Sequence, residues 1–289
     1  MEKVLIDMEQ NGWGQYIDSQ FGVKPVKIVK RSFPDGETYL KVPKSVKGKE
    51  VIVISALNNP NPKTFELMLL SRTLRDNGAK KVGLIAPYLA YMRQDKIFKA
   101  GEGISAKYYA ALISEYFDWL ITVDPHLHRI HYLCEVYKIP TVVIHAAPFI
   151  GNYIKKHIQK PLLIGPDNES SQWVKEVAND INAPFEVLEK IRIGDKNVKE
   201  SMPHLSKYKG FTPVLVDDII STGQTMLTAV KNLKKAGMKG PVCIGVHAVF
   251  ANHAFLDLLE TGAVDIISCN TISNPSNKIN VCAGLETLL

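Results

Sequence analysis

The sequence predicts an α/β protein of two tandem domains, each a mainly parallel sheet flanked by helices. Three observations lead there. Short β-branched apolar runs recur along the chain, stretches with helical periodicity separate them, and one helix–glycine–strand pattern appears twice. A short continuous apolar run suits a strand buried on both faces, and strands alternating with helices connect most simply as parallel neighbours.

In the first half, residues 51–57, 82–88, 119–124 and 141–145 read as buried strands. Between the first two, Phe65, Leu67, Met68, Leu69, Leu70 and Leu74 give residues 63–77 a helical pattern that stops at Gly78. Residues 105–117 read as a second helix, with Ser105 placed to cap its first turn. The second half repeats the scheme. Its strands are expected at 161–166, 185–188, 213–217, 242–249 and 264–269, and its helices at 170–182, 222–236 and 252–261.

The repetition extends to order within a segment. Residues 74–88 (LRDNGAKKVGLIAPY) and 233–247 (LKKAGMKGPVCIGVH) both run from helix through a glycine stop and basic residues into a buried strand. Any α/β protein can generate such an echo. A length of 289 residues, however, is long for one core, so the expectation is two similar domains, 1–145 and 146–289. No Ser- or Gly-rich linker interrupts the chain near that boundary.

With 46% hydrophobic and 22% charged residues, the composition is that of an ordinary globular protein. Lys and Arg exceed Asp and Glu by 35 to 29, a net charge of +6 that suits small phosphorylated ligands. No dense basic stripe accompanies it, which argues against nucleic acid as a partner. The longest apolar stretch, 241–251, is too short to cross a bilayer and contains His247, and the acidic N-terminus lacks a signal peptide's apolar core. The expectation is a soluble, cytoplasmic protein with no membrane partner. Cys134, Cys243, Cys269 and Cys282 lie far apart with no C-x-x-C pair, so reduced and mostly buried thiols are expected.

Residues 214–225 (VLVDDIISTGQT) carry the clearest chemical signal. An apolar strand runs into Asp217 and Asp218, then into a small hydroxyl- and glycine-bearing turn, then into a helix. Backbone N–H groups of Ser221, Thr222, Gly223, Gln224 and Thr225 can curl around a phosphate at the helix N-terminus, where the dipole is positive. Gly223 allows close approach of the backbone, and the two carboxylates can accept hydrogen bonds from sugar hydroxyls at the carboxyl edge of the sheet. An ordinary strand–turn–helix capped by Thr222 is the plainer reading, but adjacent carboxylates after a core strand favour a ligand. The pattern is neither a Walker loop nor a dinucleotide fingerprint. It resembles the ribose 5-phosphate/phosphoribosyl pyrophosphate loop of type I phosphoribosyltransferase-fold proteins, which implies that fold for both domains.

Four further segments narrow the resemblance. Residues 33–37 read FPDGE, which alone is turn chemistry ahead of a strand. Residues 87–95 read PYLAYMRQD, and Asp124-Pro125-His126 and Gly165-Pro166-Asp167 each end an expected strand. Residues 189–196 read EKIRIGDK and open a long polar stretch to about Gly210. In this order the segments are similar to elements of the ribose-phosphate pyrophosphokinases, and of their compact archaeal-type branch in particular, across about residues 28–270.

That resemblance implies transfer of the pyrophosphoryl group of ATP to ribose 5-phosphate with Mg²⁺. By it, Phe33, Asp35, Gly36 and Glu37 hold the adenine in a neighbouring subunit, which implies a homo-oligomer with a shared ATP site. Arg93, Gln94 and Asp95 fall to ATP, Arg93 offering forked, charge-assisted donors to its phosphates. His126 and Asp167 correspond to Mg²⁺ ligands. Lys190 and Arg192 correspond to the catalytic K-x-R, with Arg192 also facing ribose 5-phosphate, which Asp217, Asp218, Ser221, Thr222, Gly223, Gln224 and Thr225 would hold. Residues 270–289 are implied to run back across the first domain.

His128 and His131 leave an H-x-H transition-metal site as a rival reading. Two departures from the family pattern stand out. Asn168-Glu169-Ser170-Ser171 replace glycines, and Ile97 and Phe98 replace basic residues. The alternatives are a phosphoribosyltransferase using the same sugar phosphate, or a non-catalytic regulatory homologue. The FPDGE and RQD elements argue against the first, and Lys190 with Arg192 against the second.

Overall fold

The protein is represented by a computed structural model that describes residues 1–9, 11–193, 197–201 and 205–286, the side chains of 172, 189–193 and 197–201 excepted. The chain divides into two compact units. One comprises Met1–Ile144 with Thr271–Ser273 and Cys282–Leu289, the other His145–Asn270 with Asn274–Val281.

The first unit holds β1 (Lys3–Asp7), α1 (Trp13–Phe21), β2 (Val29–Ser32), β3 (Thr38–Lys41), β4 (Glu50–Ile54), α2 (Pro60–Asp76), β5 (Lys81–Ala86), α3 (Ser105–Tyr116), β6 (Trp119–Val123) and β7 (Thr141–Ile144). Its sheet is ordered β1-β4-β5-β6-β7 and wholly parallel, while β2 and β3 form a separate antiparallel hairpin. Val51 and Val53 of β4, Val82 and Leu84 of β5, and Leu67, Leu70 and Leu74 of α2 are fully buried. Gly83 admits the indole of Trp119 against the sheet, since a Cβ there would lie 1.9 Å from that ring.

The second unit holds α4 (Ala147–His157), β8 (Pro161–Gly165), α5 (Ser171–Ile181), β9 (Phe185–Val187), β10 (Glu189–Ile193), β11 (Asn197–Ser201), β12 (Thr212–Ile220), α6 (Gln224–Lys235), β13 (Val242–Ala248), α7 (Ala254–Thr261), β14 (Asp265–Cys269) and β15 (Asn277–Ile279). Its sheet, β15-β14-β13-β12-β8-β9, is again parallel throughout, and β10 pairs antiparallel with β11. The expected α/β class, with parallel sheets and flanking helices, is what forms.

The repeated sequence pattern has a repeated geometry. α2 ends at Gly78 (φ 87°) and α6 runs into Gly237 (φ 72°). In each case the next amide reaches back five residues, Ala79 N to Leu74 O and Met238 N to Leu233 O, both at 3.0 Å. Those bonds satisfy carbonyls that the last turn would otherwise leave open.

Several elements differ from the sequence reading. α2 begins at Pro60, which suits the first helical position because its missing N–H is not needed there. α4 is masked in the sequence by its Pro and Gly; Gly151 faces α5 closely, a Cβ there standing 2.9 Å from Asp180 Oδ2 and 3.0 Å from Ile181 Cγ2. Ser105 is not a cap: Ile104 holds the N-cap position of α3, and the Ser105 hydroxyl donates to Gln94 Oε1 (2.5 Å). The polar stretch after residue 189 contains the β10–β11 hairpin, where the alternation of Ile191 and Ile193 with Lys190 and Arg192 is too short to set a strand apart from its polar surroundings.

The returning C-terminal stretch contributes to the first unit's core. Cys282 and Leu285 are buried, and Tyr16 of α1 donates to Glu286 Oε1 at 2.6 Å. Gly284 passes so close to Ile144 that a Cβ would lie 2.3 Å from its Cγ2. None of the four cysteines forms a disulfide, and Cys134 is exposed while the other three are buried. No helix among the described residues is long and apolar enough to cross a membrane.

Candidate active site

In the second unit the candidate site grows from the carboxyl end of β12. Pairing with β13 runs to Asp217 opposite Gly245 and resumes at Ile219 opposite His247. Two tethers fix the turn that follows: Phe250 N donates to Ile220 O (2.9 Å) and Ala251 N to Ser221 O (3.0 Å). Gly223, at φ 71°, turns the chain into α6, and the first helical bond runs from Leu227 N to Gly223 O (2.7 Å). Among the described residues, no protein acceptor receives the backbone N–H groups of residues 222–226. A set of open amides thus sits at the positive end of a 12-residue helix, the arrangement that binds a phosphate.

α6 therefore starts two residues later than its sequence suggested, and Thr222 belongs to the turn. Gly223 is buried against α7: a Cβ would stand 3.3 Å from Ala254 Cβ. Ser221 and Thr225 are half-buried, while Thr222 and Gln224 are exposed.

Asp217 and Asp218 lie in β12 just ahead of this turn. Asp217 Oδ1 accepts the Asp218 N–H at 3.0 Å. Burial holds the Asp217 carboxyl well above the usual carboxylate range, and the charges of Asp218 and Asp167 push it further. The folded chain thus binds this proton more tightly than the unfolded chain. Stability consequently falls as pH rises from the ordinary carboxylate range through the raised value. Asp217→Asn removes that penalty, so the ligand-free variant should melt about 2–4 °C higher than wild type near pH 8. The gap should close as pH falls below about 4, where both states hold the proton. Thermal melts across that range check this, and a gap independent of pH would refute it.

Asp167 follows β8 in a self-closed turn. Its Oδ1 accepts the N–H groups of Glu169 (3.1 Å) and Ser170 (3.2 Å), and Ser170 Oγ donates to its carbonyl (2.6 Å). The Asn168-Glu169-Ser170-Ser171 segment is thus organised by Asp167 itself, with Oδ2 as the oxygen left to a ligand. Lys190 and Arg192 occupy alternate positions of β10, opposite Glu200 and Val198 of β11. Their side chains lie outside the described residues.

In the first unit, Phe33, Asp35, Gly36 and Glu37 form the tip of the β2–β3 hairpin. Phe33 N donates to Glu37 O (2.8 Å), Gly36 N to Phe33 O (2.9 Å), and Asp35 Oδ1 accepts Glu37 N (3.2 Å). The φ of 96° at Gly36 is what a glycine permits. Every residue of β2 is exposed. Sequence reasoning missed two supports of the tip: Arg31 lies 4.8 Å from the Phe33 ring and 4.5 Å from the Tyr39 ring.

Arg93 is exposed and makes no ion pair among the described residues. Gln94 accepts from Ser105 through Oε1, which leaves its amide N–H₂ to donate elsewhere. Asp95 is buried, and its carboxylate is engaged by Arg129. His126 is half-buried two residues beyond Asp124, itself at φ 25°. Among the described residues no group of three or more His, Cys, Asp and Glu side chains is arranged to hold a metal, so the H-x-H reading gains no cluster.

Comparison with known proteins follows the same division. A family model described as the N-terminal domain of ribose phosphate pyrophosphokinase matches residues 4–116, and one described as a phosphoribosyl transferase domain matches 134–283. The ribose-phosphate pyrophosphokinase of Saccharolobus solfataricus is 35% identical over 268 residues, covering 91% of this chain and 90% of the relative. That of Methanobrevibacter smithii is 34% identical over 274 residues, covering 90% of each. The crystal structure of phosphoribosylpyrophosphate synthetase from Mycobacterium smegmatis shares the fold, with a TM-score of 0.83 at 24% identity over 96% of this chain and 91% of that one.

Proposed function

The chain belongs to the ribose-phosphate pyrophosphokinase family, and from that premise we propose how its residues make 5-phosphoribosyl 1-pyrophosphate from ATP and ribose 5-phosphate. The C1 hydroxyl oxygen of ribose 5-phosphate bonds to the β-phosphorus of ATP. The bond from that phosphorus to the α,β-bridging oxygen breaks, AMP leaves, and the hydroxyl proton is released. No protein nucleophile is needed, because positioning and electrostatics supply the catalysis in phosphoryl-type transfer.

The observation that carries this reading is the set of open amides at residues 222–226 that follows Asp217 and Asp218 in the chain. The amides suit the 5-phosphate and the carboxylates suit the ribose hydroxyls, with Ser221, Thr222 and Thr225 adding hydroxyl donors. Arg93 and Gln94 contact the polyphosphate of ATP, and Asp95 sets their place. Lys190 and Arg192, on their hairpin, meet the charge that redistributes around the β-phosphorus, and Arg192 also reaches the sugar phosphate.

The donor chemistry fits Mg²⁺. Asp167 keeps one carboxylate oxygen outside its own turn, and the mutual repulsion of Asp167, Asp217 and Asp218 is what a divalent cation would offset. Asp167 is the residue of the second unit that would hold it. When bound, Mg²⁺ neutralises phosphate oxygens and so favours attack at phosphorus.

The exposed hairpin tip around Phe33 supports a further part of the proposal. It serves the adenine of a neighbouring subunit, so the working enzyme is a homo-oligomer. A fully active monomer in sedimentation under assay conditions would rule this out.

The decisive assay combines the chain with ATP, Mg²⁺ and ribose 5-phosphate. Formation of AMP and phosphoribosyl pyrophosphate in equal amounts is the expected result. Consumption of phosphoribosyl pyrophosphate only when a nucleobase is supplied would mark a transferase instead, and ligand binding without turnover would mark a regulatory homologue.

A further inference from the structure

Arg129 belongs to none of the motifs above, yet it joins two loops of the first unit, its own after β6 and the one between β5 and α3. Its backbone N–H donates to Asp95 Oδ2 (3.1 Å), and its Nη1 donates to Asp95 Oδ1 (3.0 Å) and Oδ2 (3.3 Å). Its guanidinium carbon lies 5.7 Å from the centre of the Phe98 ring. We propose that Arg129 is a positioning residue for ATP: through Asp95 it fixes the segment bearing Arg93 and Gln94 against the loop that carries His126. The inference rests on the reading that Arg93 and Gln94 contact the polyphosphate.

The side chain of Asp95 is only 3% exposed. A carboxylate that deep needs a cation and hydrogen bonds, and one arginine supplies both. Its charge is thereby kept off the polyphosphate, which a bare carboxylate would repel. The neighbouring residue is held from the other side: Gln94 Oε1 accepts from Ser105, and Gln94 O accepts Ala106 N–H at 3.2 Å. Beyond Asp95 the loop closes on itself, Glu102 Oε2 accepting the N–H groups of Phe98 (2.8 Å) and Lys99 (3.0 Å).

Arg93 therefore projects, exposed, from a segment braced at Gln94 by α3 and at Asp95 by Arg129. Without Arg129 the buried carboxylate must find another cation or turn to water, and either response moves the residues beside it.

The test compares kcat and both KM values for the full chain carrying Arg129→Ala, Arg129→Lys, Asp95→Asn or Arg93→Ala. The Arg129 side chain is 40% exposed, so its removal leaves a foldable protein. Arg129→Ala should raise KM for ATP about tenfold, with kcat within about twofold and KM for ribose 5-phosphate unchanged. Arg129→Lys should recover part of the affinity, because a lysine restores charge without the fork. Asp95→Asn should reproduce the Arg129→Ala phenotype, and the two combined should be no worse than either alone.

A fall in kcat at unchanged KM for ATP, an equal rise in both KM values, or no change at all would overturn the proposal. Arg93→Ala separates it from its premise. If that variant keeps the wild-type KM for ATP, the polyphosphate reading fails. If it raises KM while Arg129→Ala does not, the positioning role alone fails.

Discussion

Lys190→Ala is expected to lower kcat about a thousandfold while leaving ribose 5-phosphate affinity within about twofold of wild type. The chemistry explains the asymmetry. Negative charge redistributes around the β-phosphorus and onto the departing AMP oxygen only as the transition state forms. A cation placed there stabilises that state more than either bound substrate, so its loss appears in kcat. The sugar phosphate is, by contrast, proposed to sit on the amides after β12, a different element from β10. Rapid-quench turnover with saturating substrates gives kcat, and equilibrium binding of labelled ribose 5-phosphate gives affinity. Equal loss of both would mean that Lys190 supports the fold of the site and not the reaction.

The second large effect is expected at Gly223. Its φ of 71° lies where an L-residue is strained, and a Cβ would press on Ala254 at 3.3 Å. Gly223→Ala therefore either straightens the turn or pushes it off α7, and both responses displace the open amides. Misplacement of about 1 Å can weaken a positioned contact set about a hundredfold, so KM for ribose 5-phosphate should rise by that order with KM for ATP little changed. Gly237 supplies the control. It has nearly the same φ, 72°, with nothing within 4 Å of a Cβ and no part in the site. Gly237→Ala should lose stability to backbone strain yet keep its KM for ribose 5-phosphate. Parallel losses in the two variants would reduce Gly223 to a conformational requirement.

Much of this was legible in the amino-acid order. The strand cores at β4, β5, β12 and β13 are runs of β-branched and aliphatic residues, and the stops at Gly78 and Gly237 close their helices through the same backward bond. The turn at 221–225 declared itself through Gly223 and the preceding carboxylates. What escaped was of two kinds. The β10–β11 hairpin offers only the brief alternation around Ile191 and Ile193, and α4 carries Pro and Gly inside its helical pattern. Ser105 looked like a helix cap because cap chemistry is local, but its hydroxyl is turned to Gln94, eleven positions earlier.

The sequence by itself determined the alternation of strand and helix, the duplicated α/β scheme and the glycine-bearing turn after the paired carboxylates, and its motifs pointed to the family by resemblance. The first three depend on residues a few positions apart, so backbone sterics and hydrophobic period suffice for them. Only the tertiary structure decided that Arg129 neutralises Asp95 across 34 positions, that Arg31 supports the tip at Phe33, and that the chain returns so Cys282 and Leu285 complete the first unit's core. Those outcomes turn on which loops and strand ends become neighbours. A buried carboxylate shows that it needs a cation, and the fold alone chooses which one.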